Sequence, residues 1–382
     1  MPLTPTGLTI GGTAIDLGTV LADVTIRHGR TGYWDAANAS TIQLVLLGVA
    51  KPSHSFDLGS ALVLTCHDSV AGTDAPRFTG TLTDAKLDVD TLTLIGVGRM
   101  ATLGNYLIGA GAWPAEAWSA RVTRAFTEAG LAAYLTLQPP AAGSPDPHLL
   151  ARDGASLGTV ALSDYLTELG GIVDSAIADL PNGNILVQAS TWRMLSGGAT
   201  LDPAEVGYAP EWEKWLPAAN IVNLTWGAGG ASLVTVQDAG SVAQYGPRPM
   251  DVATTIDNSA DATAIANQIL ARSAWAQWTL PAAPLLVGMP YSIGQPLTIT
   301  ELPPASPHNP WTPILEGWTD NITSDLLDDL LNWTMELALS DPLLSGLTLP
   351  WSGIPSTAAY QWNTINQTVA WRDATELDAL NP

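Results

Sequence analysis

Gly59-Ser-Ala-Leu62-Val-Leu-Thr65 returns late in the chain as Gly294-Gln-Pro-Leu297-Thr-Ile-Thr300. Downstream of each, Gly80 with Thr83-Asp84 is echoed by Gly317 with Thr319-Asp320, and the first Gly lies 25 residues before the Asp in one copy and 26 in the other. Each copy reads as strand, loop, strand, followed by one more alternating strand, Leu92 to Val97 in the first and Trp333 to Leu339 in the second. Matched spacing in matched strand context predicts two tandem units of one β architecture.

Around the first copy, apolar residues alternate with Thr, Asp or Ser from Leu17 to Val97, with runs at Val20 to Ile26, Ile42 to Leu47, Leu62 to Cys66, Phe78 to Thr83 and Leu87 to Val97. Gly, Pro and Asp turns separate them, so residues 1–98 are expected to form a small antiparallel barrel or sandwich. The period then becomes helical. Ala115 to Ala129 places Trp118, Val122, Ala125 and Phe126 on one face ahead of Gly130, and Thr159 to Leu169 forms a second helix ending before Gly170-Gly171. A hairpin follows, Ile172 to Ile177 and Ile185 to Gln188 about an Asn182-Gly183 turn, and the Pro-dense segment 139–147 is a loop. Residues 99–205 are therefore expected as an α+β insertion, and 206–344 as a second barrel. That barrel takes strands at Asn220 to Trp226, Ser232 to Gln237, 291–300, 312–322 and 331–340, with one helix, Ser259 to Trp275, capped by Asp257 or Ser259. The tail 345–382 is too polar and short for its own core, and is expected to dock on a partner through Trp351, Trp362 and Trp371.

The fold class is thus mainly β with an α+β insertion. At 382 residues the chain exceeds one core, and 36 acidic against 14 basic residues give a formal charge of −22. With no basic cluster, stable nucleic-acid binding is excluded and DNA would be repelled. Only 13% of residues are charged, about half the usual share, so Thr, Ser, Asn and backbone must wet the surface. The lone Cys66 rules out a disulfide framework and a cysteine metal cage. The N-terminus lacks the pattern of a signal peptide and no apolar stretch reaches 18 residues, so a cytosolic origin without stable membrane binding is expected. Five Asn-x-Ser/Thr sequons, at Asn38, Asn223, Asn321, Asn332 and Asn366, reflect the Thr-rich composition.

No constellation points to chemistry. Gly96-Val-Gly98-Arg-Met-Ala101 fits a dinucleotide fingerprint, but it closes an antiparallel meander and lacks the later acidic residue, so it reads as a tight strand-to-helix turn. Cys66 and His67 point to opposite faces of a strand and cannot share a proton. His28, His54, His148 and His308 fall in unrelated loops without metal-ligand spacing. Asp328-Asp329, or Glu211 with Glu213, could form the carboxylate pair of a glycosidase, although acidic neighbours on a solvated face are commoner. No catalytic residue, metal or cofactor is expected. Fifteen Trp against three Phe admit two readings: interfaces between proteins, which is favoured, or stacking platforms for sugars.

Three passages resemble the tail hub or minor tail proteins of long-tailed bacteriophages, a family akin to baseplate hubs. These are Val24-Thr-Ile26-Arg27-His28-Gly29-Arg30 with Ala39 to Leu46, Arg77-Phe78-Thr79-Gly80 with its following strand pair, and Ser241-x-x-x-Tyr245-Gly246-x-Arg248 with Thr255 and the helix after it. The resemblance covers residues 15–340 and marks Arg27, Gly29, Arg30, Gly80, Asp84, Ser241, Tyr245, Gly246, Arg248, Gly317 and Asp320 as signature positions. It implies a homotrimer whose two tube-like barrels per subunit form a pseudo-sixfold ring in the virion tail tip. Its partners would be a distal tail or tail tube protein, the tape-measure protein C-terminus and tip or receptor-binding proteins, with phage DNA only in passage. An acidic lumen would keep that DNA from sticking. The competing reading is a carbohydrate-binding protein or glycosidase.

Overall fold

The computed structural model describes residues 3–15, 17, 21–31, 38–47, 57–141, 144–173, 175–190, 199–201, 212–279, 283–286, 288–300, 302, 306, 311–325 and 330–340. Its main feature is one ten-stranded antiparallel sheet. From the first part of the chain come β1 (Leu3–Ile10), β2 (Thr13–Ile15), β3 (Leu21–Gly29), β4 (Thr41–Leu47), β5 (Ala61–Asp68), β6 (Thr73–Leu87) and β7 (Thr91–Val97). These stand in the order β2-β1-β5-β6-β7-β4-β3. The alternation explains them: Val24 and Ile26, Ile42 and Leu44, Leu62 and Leu64, and Leu92 and Leu94 all turn inward around Phe78 and Leu82. Each such buried side chain contributes about 1.5–3 kcal/mol.

Among the described residues the expected closed barrels are absent. The β3 edge, which could have closed the first unit on itself, instead pairs with β19 (Ile314–Asp325), followed by β20 (Leu330–Ser340) and β17 (Ala283–Leu285). The sheet is therefore open, ending at β2 and β17. Ile322 and Trp333 from the late strands sit in the core of the early ones, while Leu285, Leu297, Leu315, Trp318 and Leu337 build a second core.

The duplication is visible strand by strand. Gly59 N donates to Leu82 O and Leu82 N to Ser60 O; in the second copy Gly294 N donates to Leu315 O and Leu315 N to Gln295 O. Both glycines sit in the left-handed region, φ +91° and +77°, as the third residue of a four-residue turn closed from Asp57 O and Ser292 O. β6 and β19 each carry a bulge one residue later, at Thr83 and Glu316. So β5, β6 and β7 correspond to β18 (Leu297–Ile299), β19 and β20. The sequence alignment is corrected in its second half. Gly317 matches Asp84 rather than Gly80, because the loop between the paired strands is two residues shorter in the second copy.

A third core belongs to α1 (Trp118–Glu128), β8 (Leu135–Gln138), α2 (Leu162–Val173), and the hairpin β9 (Ala176–Asp179) and β10 (Ile185–Gln188). α2 runs through Gly170-Gly171, against expectation, because Ile172 and Val173 complete its buried face; the hairpin strand accordingly starts only at Ala176. The segment expected as a second barrel is divided. β11 (Ala199–Leu201) pairs with β18, and β12 (Glu213–Trp215) precedes β13 (Ile221–Trp226), β14 (Ser232–Gln237), α3 (Ala239–Tyr245), β15 (Pro249–Ala253) and α4 (Ser259–Ser273). Val222, Leu224, Ile265 and Ile269 of that stretch bury in the third core, not the second. The cap of α4 is Asn258, whose side chain accepts from Asp261 N. β16 (Gln277–Thr279) then pairs with β12.

Candidate functional site

The β3–β19 seam carries the densest buried polar network. Period-two alternation does not stop at Ile26: His28 and Arg30 continue the inward face of β3, 4% and 8% exposed. His28 is therefore a strand residue rather than the expected loop residue. Opposite, Glu316 and Asp320 on β19 are fully buried. A buried carboxylate is tolerable only when paired and fully hydrogen-bonded. Asp320 meets that demand: it accepts from Arg77 Nε at 2.8 Å and Nη2 at 2.9 Å, from Trp318 Nε1 at 3.1 Å and from Trp333 Nε1 at 3.0 Å. Glu316 accepts from Arg30 Nε at 2.8 Å and from Ser340 Oγ.

Gly29 and Gly317 face each other in this seam. A Cβ on Gly29 (φ +76°) would stand 2.3 Å from Glu316 O, and one on Gly317 would stand 2.4 Å from His28 O. The backbones approach too closely for any side chain there, and the approach seats both ion pairs.

The network reaches the insertion. His28 Nε2 lies 2.9 Å from Arg77 O, which can only accept, so Nε2 carries the proton; Nδ1 then accepts from Ser40 Oγ at 2.7 Å. Burial first, and the Arg77 charge second, lower His28 to about 4, which fits the neutral ring. Ser40 N donates to Asp179 Oδ2 at 2.8 Å and Met100 N to Asp179 Oδ1 at 2.9 Å. Asp179 is held above the usual carboxylate range by burial, which outweighs these bonds. A Cβ on Gly98 would meet that carboxylate at 2.2 Å. The seat that a Gly-x-Gly-x-x-Ala turn offers an anion is thus filled by the chain's own Asp179. One hydrogen-bonded path runs Asp179–Ser40–His28–Arg77–Asp320, through the insertion and both β units.

The remaining signature residues are scattered. Arg27 and Asp84 are exposed, and Gly80 sits where a Cβ would meet Val97 O at 2.3 Å. Ser241, Gly246 and Arg248 gather around Asn220, a buried residue the sequence reading passed over. Its Nδ2 donates to Ser241 Oγ at 3.2 Å and Gly246 O at 2.8 Å, and its Oδ1 accepts from Arg248 N at 2.7 Å. Tyr245 stacks edge-on to Trp275, 6.2 Å between centroids. This cluster lies at the start of β13 and the end of α3, beside the third core, and not in the second β unit. Trp351, Trp362, Trp371, His54, His308, Glu211 and Asp328-Asp329 lie outside the described residues.

Cys66 is buried and burial pushes its thiol up to about 12, while His67 turns to Asp74 at 2.7 Å and His148 bonds Asp257 at 2.7 Å. Among the described residues no three metal-ligating side chains converge, and no helix is long and apolar enough to cross a membrane. One hollow, beside α1, is lined by Glu116, Arg124 and Glu128; Glu116 is already paired with Arg121 and Arg124, and Glu128 accepts from Trp113 Nε1.

Solved structures share this architecture over about nine-tenths of the chain. A tail protein from Neisseria meningitidis MC58 superposes with a TM-score of 0.59 at 14% identity, over 89% of this chain and 96% of its own. The fold is that of phage tail proteins. The 43 kDa tail protein of prophage MuSo2 from Shewanella oneidensis matches 89% of this chain and 98% of its own, with a TM-score of 0.57 at 10% identity. An E. coli type VI secretion component, described as similar to the T4 tail proteins gp27 and gp5, matches 89% and 78% with a TM-score of 0.51 at 10% identity. No family model matches the chain, and no curated protein matches it significantly.

Proposed function

We propose that the chain is a structural, non-enzymatic component of a phage tail, the trimeric hub at the tail tip. One observation carries the reading: a β unit is duplicated in the chain, and its two copies share one sheet through β3 and β19. Three chains would then supply six units around one axis, matching a sixfold tube. The acidic balance of −22 suits a wall that DNA passes without adhering. The hub would link the tail tube or distal tail protein to tip and receptor-binding proteins, and meet the tape-measure protein C-terminus. β1 to β7 with β12 and β16 to β20 would supply the ring, the α/β part built by α1, α2, β8 to β10, β13 to β15, α3 and α4 its outer decoration, and 345–382 a docking tail. Immunogold labelling of tailed particles that carry this protein tests the assignment. Label confined to the tail tip is expected; label on heads, or on no particle, contradicts it.

A further inference from the structure

Two strand edges in the structure are unpaired among the described residues, and the duplication relates them. Beyond the Thr83 bulge, Asp84 to Leu87 of β6 pair only with β7, and all four are exposed. Their counterparts in the second unit, Gly317 onward in β19, pair on that same side with β3. The first unit therefore lacks the neighbour that the second possesses.

The strand that would supply this neighbour is β12. β4 and β17 hold equivalent places beside the third strand of their units, with Leu44 opposite Leu94 and Ala283 opposite Leu337. Counting back along the chain from Ala283 makes Thr279 the counterpart of Ser40. Glu213 pairs with Thr279 as His28 reaches Ser40, so Glu213, Lys214 and Trp215 stand for His28, Gly29 and Arg30. β12 pairs on one side with β16, and all three of its residues are exposed, Trp215 by 60%.

We propose that β12 of one copy adds to the β6 overhang of a second copy, repeating between chains the seam that β3 and β19 make within one. Transferring the register of Gly29 opposite Gly317 sets Lys214 opposite Asp84 and Glu213 opposite Ala85. Arg30 N donates to Glu316 O in the internal seam, and Trp215 N would donate to Thr83 O in the external one. Charge agrees with this register. Lys214 is one of only three lysines in the chain, and it falls across from an acid. Its Nζ lies 5.2 Å from the Trp278 ring, which holds it on the face that Asp84 would share. The contact is heterologous, so it joins copies head to tail, as a ring requires, rather than in a twofold dimer. Where the internal seam is locked by paired glycines and buried ions, the external one has an exposed ion pair, as suits an edge that must stay soluble before assembly.

The inference rests on the hub reading for the number of copies but not for the contact itself. The test joins Asp84→Cys and Lys214→Cys in the full chain under mild oxidant; opposed strand residues stand at disulfide distance, and the native Cys66 is buried. Bands of two and three chains on a non-reducing gel are expected, and Leu87→Cys with Lys214→Cys, out of register, should give none. Asp84→Lys or Lys214→Asp alone should weaken association about tenfold per contact, and the double exchange should restore it. A threefold ring whose 84–214 pair fails to link and whose mass ignores the reversals overturns the edge contact and leaves the hub standing. Linked chains in a ring of another order uphold the contact and overturn the trimer. A wild-type monomer at all concentrations overturns both.

Discussion

Asp320 accepts four hydrogen bonds with no exposure to water, and among the described residues its partner Arg77 pairs with no other carboxylate. Removing half of such a pair strands the other half. Asp320→Asn is expected to cost about 3–5 kcal/mol in urea unfolding, with Arg77→Met added to it recovering part of the loss. The glycines make a second contrast. Gly29→Ala meets Glu316 O and adds left-handed strain, whereas Gly246→Ala (φ +77°) enters open space and carries strain alone, about 1–2 kcal/mol. Gly29→Ala should therefore lower the melting temperature clearly more. His28 sets a pH dependence. Unfolded, it takes a proton near 6.5; folded, it resists until about 4. The unfolded state then binds more protons between these values, so stability is intact above 6.5 and falls as pH drops toward 4, by about 3 kcal/mol at most. Arg77 and Asp320 face the ring, and Asp179, whose raised carboxyl favours the folded state at low pH, works in the opposite direction. His28→Gln should flatten the acid limb of stability measured by denaturant titration from pH 7 to 4.

At the scale of elements, the hairpin of β9 and β10 is the spline between cores. Ile177 and Val187 face the third core, Ala178 and Leu186 the second, and Asp179 reaches Ser40 and Met100 beside the first. Asp179→Ala leaves the buried Ser40 amide and the half-buried Met100 amide without acceptors and should cost about 2–5 kcal/mol, with amide exchange quickening at both before the rest of the sheet. Much of this level was legible in the sequence. The inward Leu and Ile of β4, β5 and β7, helix α1 with its buried face and the hairpin turn all follow from period and turn chemistry. What misled was local. Gly170-Gly171 looked like a helix stop, yet the buried Ile172 and Val173 outweigh the glycine penalty of about 1 kcal/mol each. His28 looked like a loop residue, although it and Arg30 keep the alternation of Val24 and Ile26. Arg30 pairs with Glu316, 286 residues away, and His28 bonds Ser40 and Arg77 on two other strands; nothing in local pattern reports such pairings. Asn220 escaped for the same reason: a single Asn before a strand carries no signal until Ser241, Gly246 and Arg248 are seen around it.

At the scale of the molecule, the internal echo at Gly59 and Gly294 announced the architecture, and the strand pairing replaced two closed barrels with two units sharing a sheet. An open sheet of this size has edges to cover, and a chain with so few charges has much surface for neighbours. The central claim is that three copies close that sheet into a ring. It is tested most directly by the mass of the purified full-length chain in solution, measured across concentration and joined to image averages. The account predicts a species near 120 kDa, three times the 39.9 kDa chain, with a threefold ring in projection. A stable 39.9 kDa monomer with no ring at any concentration would contradict it.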